Sequence, residues 1–124
     1  MKQIKIVAGD VSTVAELSSS KTSEAIWDSL PIENTVNTWG DEIYFTIPVT
    51  SALDETAKEV VEKGDLGYWP TGKAFCIFFG PTPASQGDEI RPASAVNIVG
   101  RVDGNTDVFK RVRDGENITL EKVE

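Results

Sequence analysis

The order of apolar and polar side chains along the chain predicts mostly β-strands. Near the start, Lys2–Ala8 and Val11–Leu17 both alternate in hydrophobicity with a period of two residues, and Gly9-Asp10 separates them. A period of two places successive side chains on opposite faces of a strand, and a two-residue link containing Gly is typical of a β-hairpin. We therefore expect the chain to begin with a hairpin.

The strand pattern continues through the middle and the end of the chain. We predict further strands, weakly over Asn34–Trp39 and clearly over Glu42–Val49, Leu66–Trp69, Lys73–Phe79, Ala95–Val102 and Asn117–Val123. The segment Lys73–Phe79 is apolar on both faces, which is typical of a central strand that is covered on both sides. The segment Gly80–Pro92 is rich in Pro, Gly, Ser and Asp and is predicted to be a long loop, and such loops are often functional.

Two segments favour helices. Thr22–Leu30 carries apolar residues three and four positions apart, can be capped by Thr22 or Ser23, and is followed by Pro31. Asn105–Val112 is a second, shorter candidate. Seven or eight strands and one or two helices fit a single domain of 124 residues. Because free sheet edges promote aggregation, we expect the strands to form a closed or nearly closed barrel.

Composition restricts the chemistry more than the fold. The chain has 12 basic and 20 acidic side chains, a net charge of −8, no histidine and one cysteine. Sites that need an imidazole base, or zinc held by Cys and His, are therefore excluded. Nucleic acids and anionic membranes are not expected as partners, because the one basic cluster (Lys110, Arg111 and Arg113) is read as a solvated helix face. No metal or cofactor is expected; a calcium-like spacing that starts at Asp103 lacks the Gly and Glu of a calcium loop.

The same composition suggests a cellular location. The start of the chain lacks an apolar signal-peptide core because Lys5 interrupts it, and no apolar stretch approaches the length of a membrane span. A lone Cys76 cannot form a disulfide within the chain, and its apolar surroundings indicate an inert core thiol. We expect a cytoplasmic protein.

Three motifs give the chain a family resemblance. In order, they are Trp39–Phe45 (WGDEIYF), Gly64–Pro70 (GDLGYWP) and Cys76–Pro83 (CIFFGPTP). Together they resemble a family of small prokaryotic cyclophilin-like proteins with no assigned function, over Lys2–Val123. The resemblance implies a mainly β fold, a closed eight-stranded antiparallel barrel with a helix at each end.

The chain departs from true peptidyl-prolyl isomerases at the positions that matter for catalysis. Those enzymes carry an arginine and a histidine near the proline pocket, whereas Asn34–Lys63 contains neither residue type. No catalytic residue can therefore be carried over, and a shared fold alone does not give the activity.

Candidate site residues gather at predicted strand ends and on the long loop. Glu42 and Tyr44 share one strand face, where a carboxylate and a phenol would bind an amine, an amide or a sugar, or act as a general base with its orienting group; the alternative is a solvent-facing polar strand side. Trp69 lies at a strand end, and Arg91 is either a donor to a prolyl amide or an ordinary loop arginine. The candidate site residues are Glu42, Tyr44, Trp69, Phe79, Thr82, Pro83 and Arg91.

Three functions remain open from the sequence. The leading one is a binding module that takes a small molecule or an extended peptide into an aromatic and polar cleft. The second is a divergent or weak peptidyl-prolyl isomerase, and the third is an enzyme acting on a small carboxyl, amide or imide compound with Glu42 as the base.

Overall fold

The fold is a nearly closed antiparallel barrel, as the sequence predicts. The computed structural model describes residues 2–123, and within them ten strands join one sheet, eight of which have four or more residues. The strands are β1 (Lys2–Ala8), β2 (Val11–Leu17), β3 (Ile32–Thr35), β4 (Asn37–Thr38), β5 (Glu42–Thr46), β6 (Ala57–Lys58), β7 (Asp65–Trp69), β8 (Ala74–Phe78), β9 (Val96–Val102) and β10 (Asn117–Lys122).

One extended segment, residues 32–38, brings the two ends of the sheet together. The strands pair in the order β3-β10-β1-β2-β9-β7-β8-β5-β4, and β6 pairs with β9. Only Val36 separates β3 from β4, so the first half of this segment pairs with β10 and the second half with β5. The side-chain amide of Asn34 also donates a 2.7 Å hydrogen bond to the Thr46 carbonyl of β5. The weak strand predicted over Asn34–Trp39 is therefore two strands that change partner at Val36.

The two helices predicted from the sequence are present, and a third, short helix lies between β7 and β8. They are α1 (Lys21–Ser29) and two 3₁₀ helices, Pro70–Gly72 and Thr106–Arg111. The predicted cap of the first helix is wrong: Ser20 is the N-cap, and its hydroxyl accepts a hydrogen bond from the Ser23 N–H. Ser23 is instead buried and donates to the Val99 carbonyl of β9. In residues 2–123, no helix combines the length and the apolar character that a membrane crossing requires.

Strand β8 separates two hydrophobic cores, and this arrangement positions the candidate site. Phe75, Ile77 and Phe79 point into the barrel, where they join the inward side chains of β5. Ala74, Cys76 and Phe78 point outwards into a second, smaller core. Three further side chains complete that outer core: Ile90 from the long loop, Val96 from the start of β9, and Val61 from the segment between β6 and β7. The prediction that this strand is buried on both faces is confirmed, since all five of its residues are buried.

Candidate functional site

A small pocket lies on the outer face of the barrel, beside the outer core. Its volume is about 250 Å³. Glu42 and Tyr44 of β5 and Trp69 of β7 contribute to its walls, so the structure brings together three of the residues singled out from the sequence. The complete lining is Trp39, Glu42, Tyr44, Trp69, Pro92, Ala93 and Val96.

Strand register explains why these three side chains meet. β5 and β7 both pair with β8, with Tyr44 opposite Cys76 and Trp69 opposite Ala74. Since alternate residues share a face, Glu42, Tyr44 and Trp69 all project outwards across β8. The rings of Tyr44 and Trp69 meet edge to face, with centroids 6.3 Å apart. The Trp69 indole N–H donates a 2.6 Å hydrogen bond to the Ser94 hydroxyl, which holds the ring between the sheet and the loop.

Glu42 is the unusual group of the pocket. Only 5% of the residue is exposed, and its Oε1 atom has no hydrogen-bond partner among residues 2–123. Burial raises the pKa of this carboxyl to about 7, and a contact with the Cys76 thiol partly opposes that shift. Buried polar atoms in folded proteins nearly always have a partner. The carboxyl group is therefore close to the balance between its neutral and charged forms near neutral pH.

Cys76 lies beneath Glu42 and contributes no reactive thiolate. The thiol is buried, and burial together with the neighbouring Glu42 carboxyl raises the pKa of the thiol well above its ordinary value. A thiol must ionise to act as a nucleophile or a metal ligand. The sequence-based interpretation of Cys76 as an inert core residue agrees with this environment.

Trp39 is the main pocket residue that the sequence analysis missed. It precedes the turn at Gly40-Asp41, and its backbone N–H donates a 2.9 Å hydrogen bond to the Glu42 backbone carbonyl across that turn. A tight turn places the residues on its two sides next to each other. The spacing of Trp39 and Glu42 around a Gly-Asp turn could therefore have indicated that both border one site.

Phe79 does not line the pocket. The residue is 4% exposed and lies in the inner core, where its ring packs 5.9 Å from that of Phe109. Phe79 directly follows β8 and continues its alternation, so its side chain lies with those of Phe75 and Ile77 in the interior of the barrel. The expectation of Phe79 in a cleft with Glu42 is corrected accordingly.

The three loop residues also lie outside the pocket. Thr82 is buried, and its hydroxyl donates to the Arg91 carbonyl and accepts from the Ala84 N–H, so it fastens the base of the loop. The guanidinium of Arg91 forms a 2.7 Å ion pair with Glu89. Pro83 is exposed on the loop. The loop contributes to the pocket through Pro92 and Ala93 instead.

The charges around the pocket are one-sided. Its lining contains the carboxyl group of Glu42 and no lysine or arginine. Within residues 2–123, no three Cys, Asp or Glu side chains converge in a way that could hold a metal ion. The arrangement can thus accept a hydrogen bond or a proton, and it can attract a positive charge.

Comparison with known proteins agrees with the fold described above. A family model described as Cyclophilin-like matches residues 2–121. The solution structure of a hypothetical protein from Archaeoglobus fulgidus is 44% identical, with a TM-score of 0.83, over 98% of this chain and 95% of that chain. Among curated proteins, none matches. Because the family model covers nearly the whole sequence, the chain belongs to the cyclophilin-like family.

Proposed function

We propose that this protein is a binding module that takes a small molecule into the pocket beside Glu42. The observation that carries the proposal is the buried Oε1 atom of Glu42, which has no hydrogen-bond partner in the described part of the chain. A buried acceptor without a partner costs about 1–3 kcal/mol. A ligand that donates a hydrogen bond to this group would recover part of that cost, and so would bind with an advantage.

The size of the pocket favours a small molecule over an extended peptide. Its volume of about 250 Å³ is slightly below the usual range for ligand pockets, which is roughly 300–1,000 Å³. Three aromatic residues, Trp39, Tyr44 and Trp69, provide apolar contact around one polar group. Such a combination suits a compact ligand with one donor, or a single side chain inserted by a peptide.

Chemical-shift mapping with a library of small compounds tests the proposal. We expect binders to shift the amide signals of residues 42–46, 67–69 and 93–96. The variant Glu42→Gln should weaken those binders that carry a donor, whereas Glu121→Gln, which removes one charge at an exposed position of β10, should not. Binders that shift only amides elsewhere, or no binders at all, would count against the pocket.

A second function is favoured by the pKa of Glu42. A general base works best when its pKa lies near the operating pH, and burial raises the pKa of this carboxyl to about 7. The candidate is an enzyme that acts on a small carboxyl, amide or imide compound. Incubation of the protein with a panel of such compounds, followed by NMR, distinguishes the two functions: an enzyme consumes a compound and loses this activity in Glu42→Gln, whereas a binding module returns it unchanged.

The same NMR samples test the isomerase alternative. An Ala-Pro peptide added to the labelled protein reports both binding and cis–trans exchange. Accelerated exchange that disappears in Arg91→Ala would place isomerase activity above the binding function. Shifts of the pocket amides without acceleration would support a peptide-binding module.

A further inference from the structure

We infer that the ligand of this pocket is a small organic cation, an ammonium group attached to a flat or apolar body, held by the Glu42 carboxylate and the surrounding aromatic rings. This inference rests on the proposed function and specifies its ligand. Three features support it: no basic side chain pairs with Glu42 in the pocket, aromatic rings line the pocket, and the whole chain carries a net negative charge.

Asp65 and Glu42 are the two buried acids among the described residues, and their surroundings differ. Asp65 is 4% exposed, and its carboxylate accepts hydrogen bonds from the Arg101 guanidinium at 2.8 Å and from the Glu62 N–H at 2.8 Å. Glu42 is buried to the same degree, yet no basic side chain lines its pocket. A buried charge is normally paired, because an unpaired one is strongly destabilising. Without such a partner Glu42 holds its proton up to about pH 7, and a cationic ligand would supply the positive partner that its ionised form lacks.

Aromatic rings surround the carboxyl group of Glu42. Trp39, Tyr44 and Trp69 line the same small pocket. Aromatic faces attract cations within about 6 Å of the ring centre, and tryptophan does so most strongly. This chain already uses that interaction elsewhere, since the ammonium groups of Lys2 and Lys122 lie 5.5 and 5.0 Å from the Trp27 ring. Rings and carboxylate together therefore select a positive charge with an apolar body.

The pocket is less suited to anionic and neutral ligands than to cations. An anion would meet the Glu42 carboxylate with no basic side chain in the lining to offset the repulsion. A neutral donor would satisfy the Oε1 atom with a hydrogen bond but would leave the negative charge of the carboxylate unpaired. The net charge of −8 further raises the local concentration of cations around the molecule.

Three probes with the same ring and different charges test the inference. Benzylamine, benzyl alcohol and benzoate are titrated separately into the ¹⁵N-labelled protein at about pH 8, where benzylamine keeps its proton and Glu42 is mostly ionised. At this pH the Cys76 thiol below Glu42 stays neutral, because its pKa is raised. We expect benzylamine to bind in the pocket at least about tenfold more tightly than benzyl alcohol, and benzoate not to bind there.

Two variants locate the effect. Glu42→Gln should bring the affinity for benzylamine down to that for benzyl alcohol, while Glu121→Gln, which removes the same charge from an exposed site, should leave the ratio unchanged. If Glu42→Gln does not fold, the comparison of the three probes on the unmodified protein still decides.

The outcomes separate this inference from the proposed function. Equal affinity of the pocket for benzylamine and benzyl alcohol, or tighter binding of benzoate, would overturn the cation inference and leave a small-molecule pocket in place. If none of the three probes shifts the pocket amides at millimolar concentration, the cation inference is overturned, whereas the proposed function is overturned only if the compound library also yields no binder in the pocket.

Discussion

Ionisation of Glu42 has two effects: it gives the pocket its negative charge, and it lowers the stability of the fold. Its pKa is about 7 in the folded protein, against an ordinary value of 4.5, because burial disfavours the charged form. Between these two values the unfolded chain has already lost the proton that the folded chain still holds. The stability contributed by protonated Glu42 is thus complete below about pH 4.5 and is lost as the pH rises through about 7.

This linkage predicts how Glu42→Gln changes stability with pH. Since glutamine does not titrate, the difference in unfolding free energy between the variant and the original protein should shift by about 3 kcal/mol in favour of the variant between low and high pH. Urea unfolding at several values between about pH 4.5 and pH 8 measures it. A difference that stays constant, or that changes equally in Glu121→Gln, would contradict the pKa assigned to Glu42.

The hydroxyl group of Tyr68 allows the contribution of buried hydrogen bonds to stability to be tested. Its side chain is fully buried, donates a 2.6 Å hydrogen bond to the Val49 carbonyl and accepts from the Ser51 N–H. Tyr68→Phe leaves both backbone groups without this partner, and we expect a loss of about 1–3 kcal/mol of stability. Tyr44→Phe is the matched control, because no residue in the range 2–123 forms a hydrogen bond with the Tyr44 hydroxyl. Equal stability of the two variants in urea would show that the buried bonds contribute nothing.

Among the elements, the contact between β2 and β9 depends on one glycine. A Cβ atom at Gly100 would collide with the backbone carbonyl of Glu16 on β2, and a backbone group cannot rotate away as a side chain can. We expect Gly100→Ala to cost at least about 2 kcal/mol. The control is Gly87→Ala, where no atom lies within 4 Å and only the positive φ of +64° opposes the change, at about 1 kcal/mol. Thermal unfolding that ranks the two variants the other way round would refute the collision.

Local periodicity predicts the elements well where a strand pairs along its whole length. The first hairpin has the predicted bounds, Lys2–Ala8 and Val11–Leu17, because its alternation and its Gly9-Asp10 turn are both local. The alternation over Asn34–Trp39 predicts one strand, whereas residues 32–38 form two, because the chain changes its pairing from β10 to β5 at Val36. The two-residue strand β6 exists only through its pairing with β9, and no sequence pattern marks such a pairing.

Only the part of the pocket that lies on a single strand, β5, could be predicted from the sequence. Glu42 and Tyr44 share a face of β5 by simple alternation, and this much was available from the sequence. The meeting of Tyr44 with Trp69 across β8 depends on the register of three strands. The position of Arg91 depends on its pairing with Glu89 in an irregular loop, which has no period to follow. For Phe79, alternation groups it with Phe75 but does not say which face of the strand is the interior.

For the whole molecule, the two-residue strands β4 and β6 should be the least stable part of the barrel. β4 pairs with β5, and β6 with β9, through two residues each, whereas β1 pairs with β2 through seven. Few hydrogen bonds and exposed backbone favour local opening. In native-state hydrogen exchange we expect the amides of Asn37 and Thr38 to exchange much faster than those of β1 and β2. Equal protection would mean that the barrel opens only as one unit.

The way the long loop is fastened has a consequence for how this barrel can be altered. Thr82 is hydrogen-bonded to the Arg91 carbonyl, and the Asp41 N–H donates to the Pro81 carbonyl, so the base of the loop is closed and held beside the start of β5. Its tip, by contrast, is exposed, with open space around Gly87. Foreign peptide inserted at Gly87 should therefore leave the barrel intact. The tip is accordingly a natural point for length variation during evolution and a place to graft a reporter sequence.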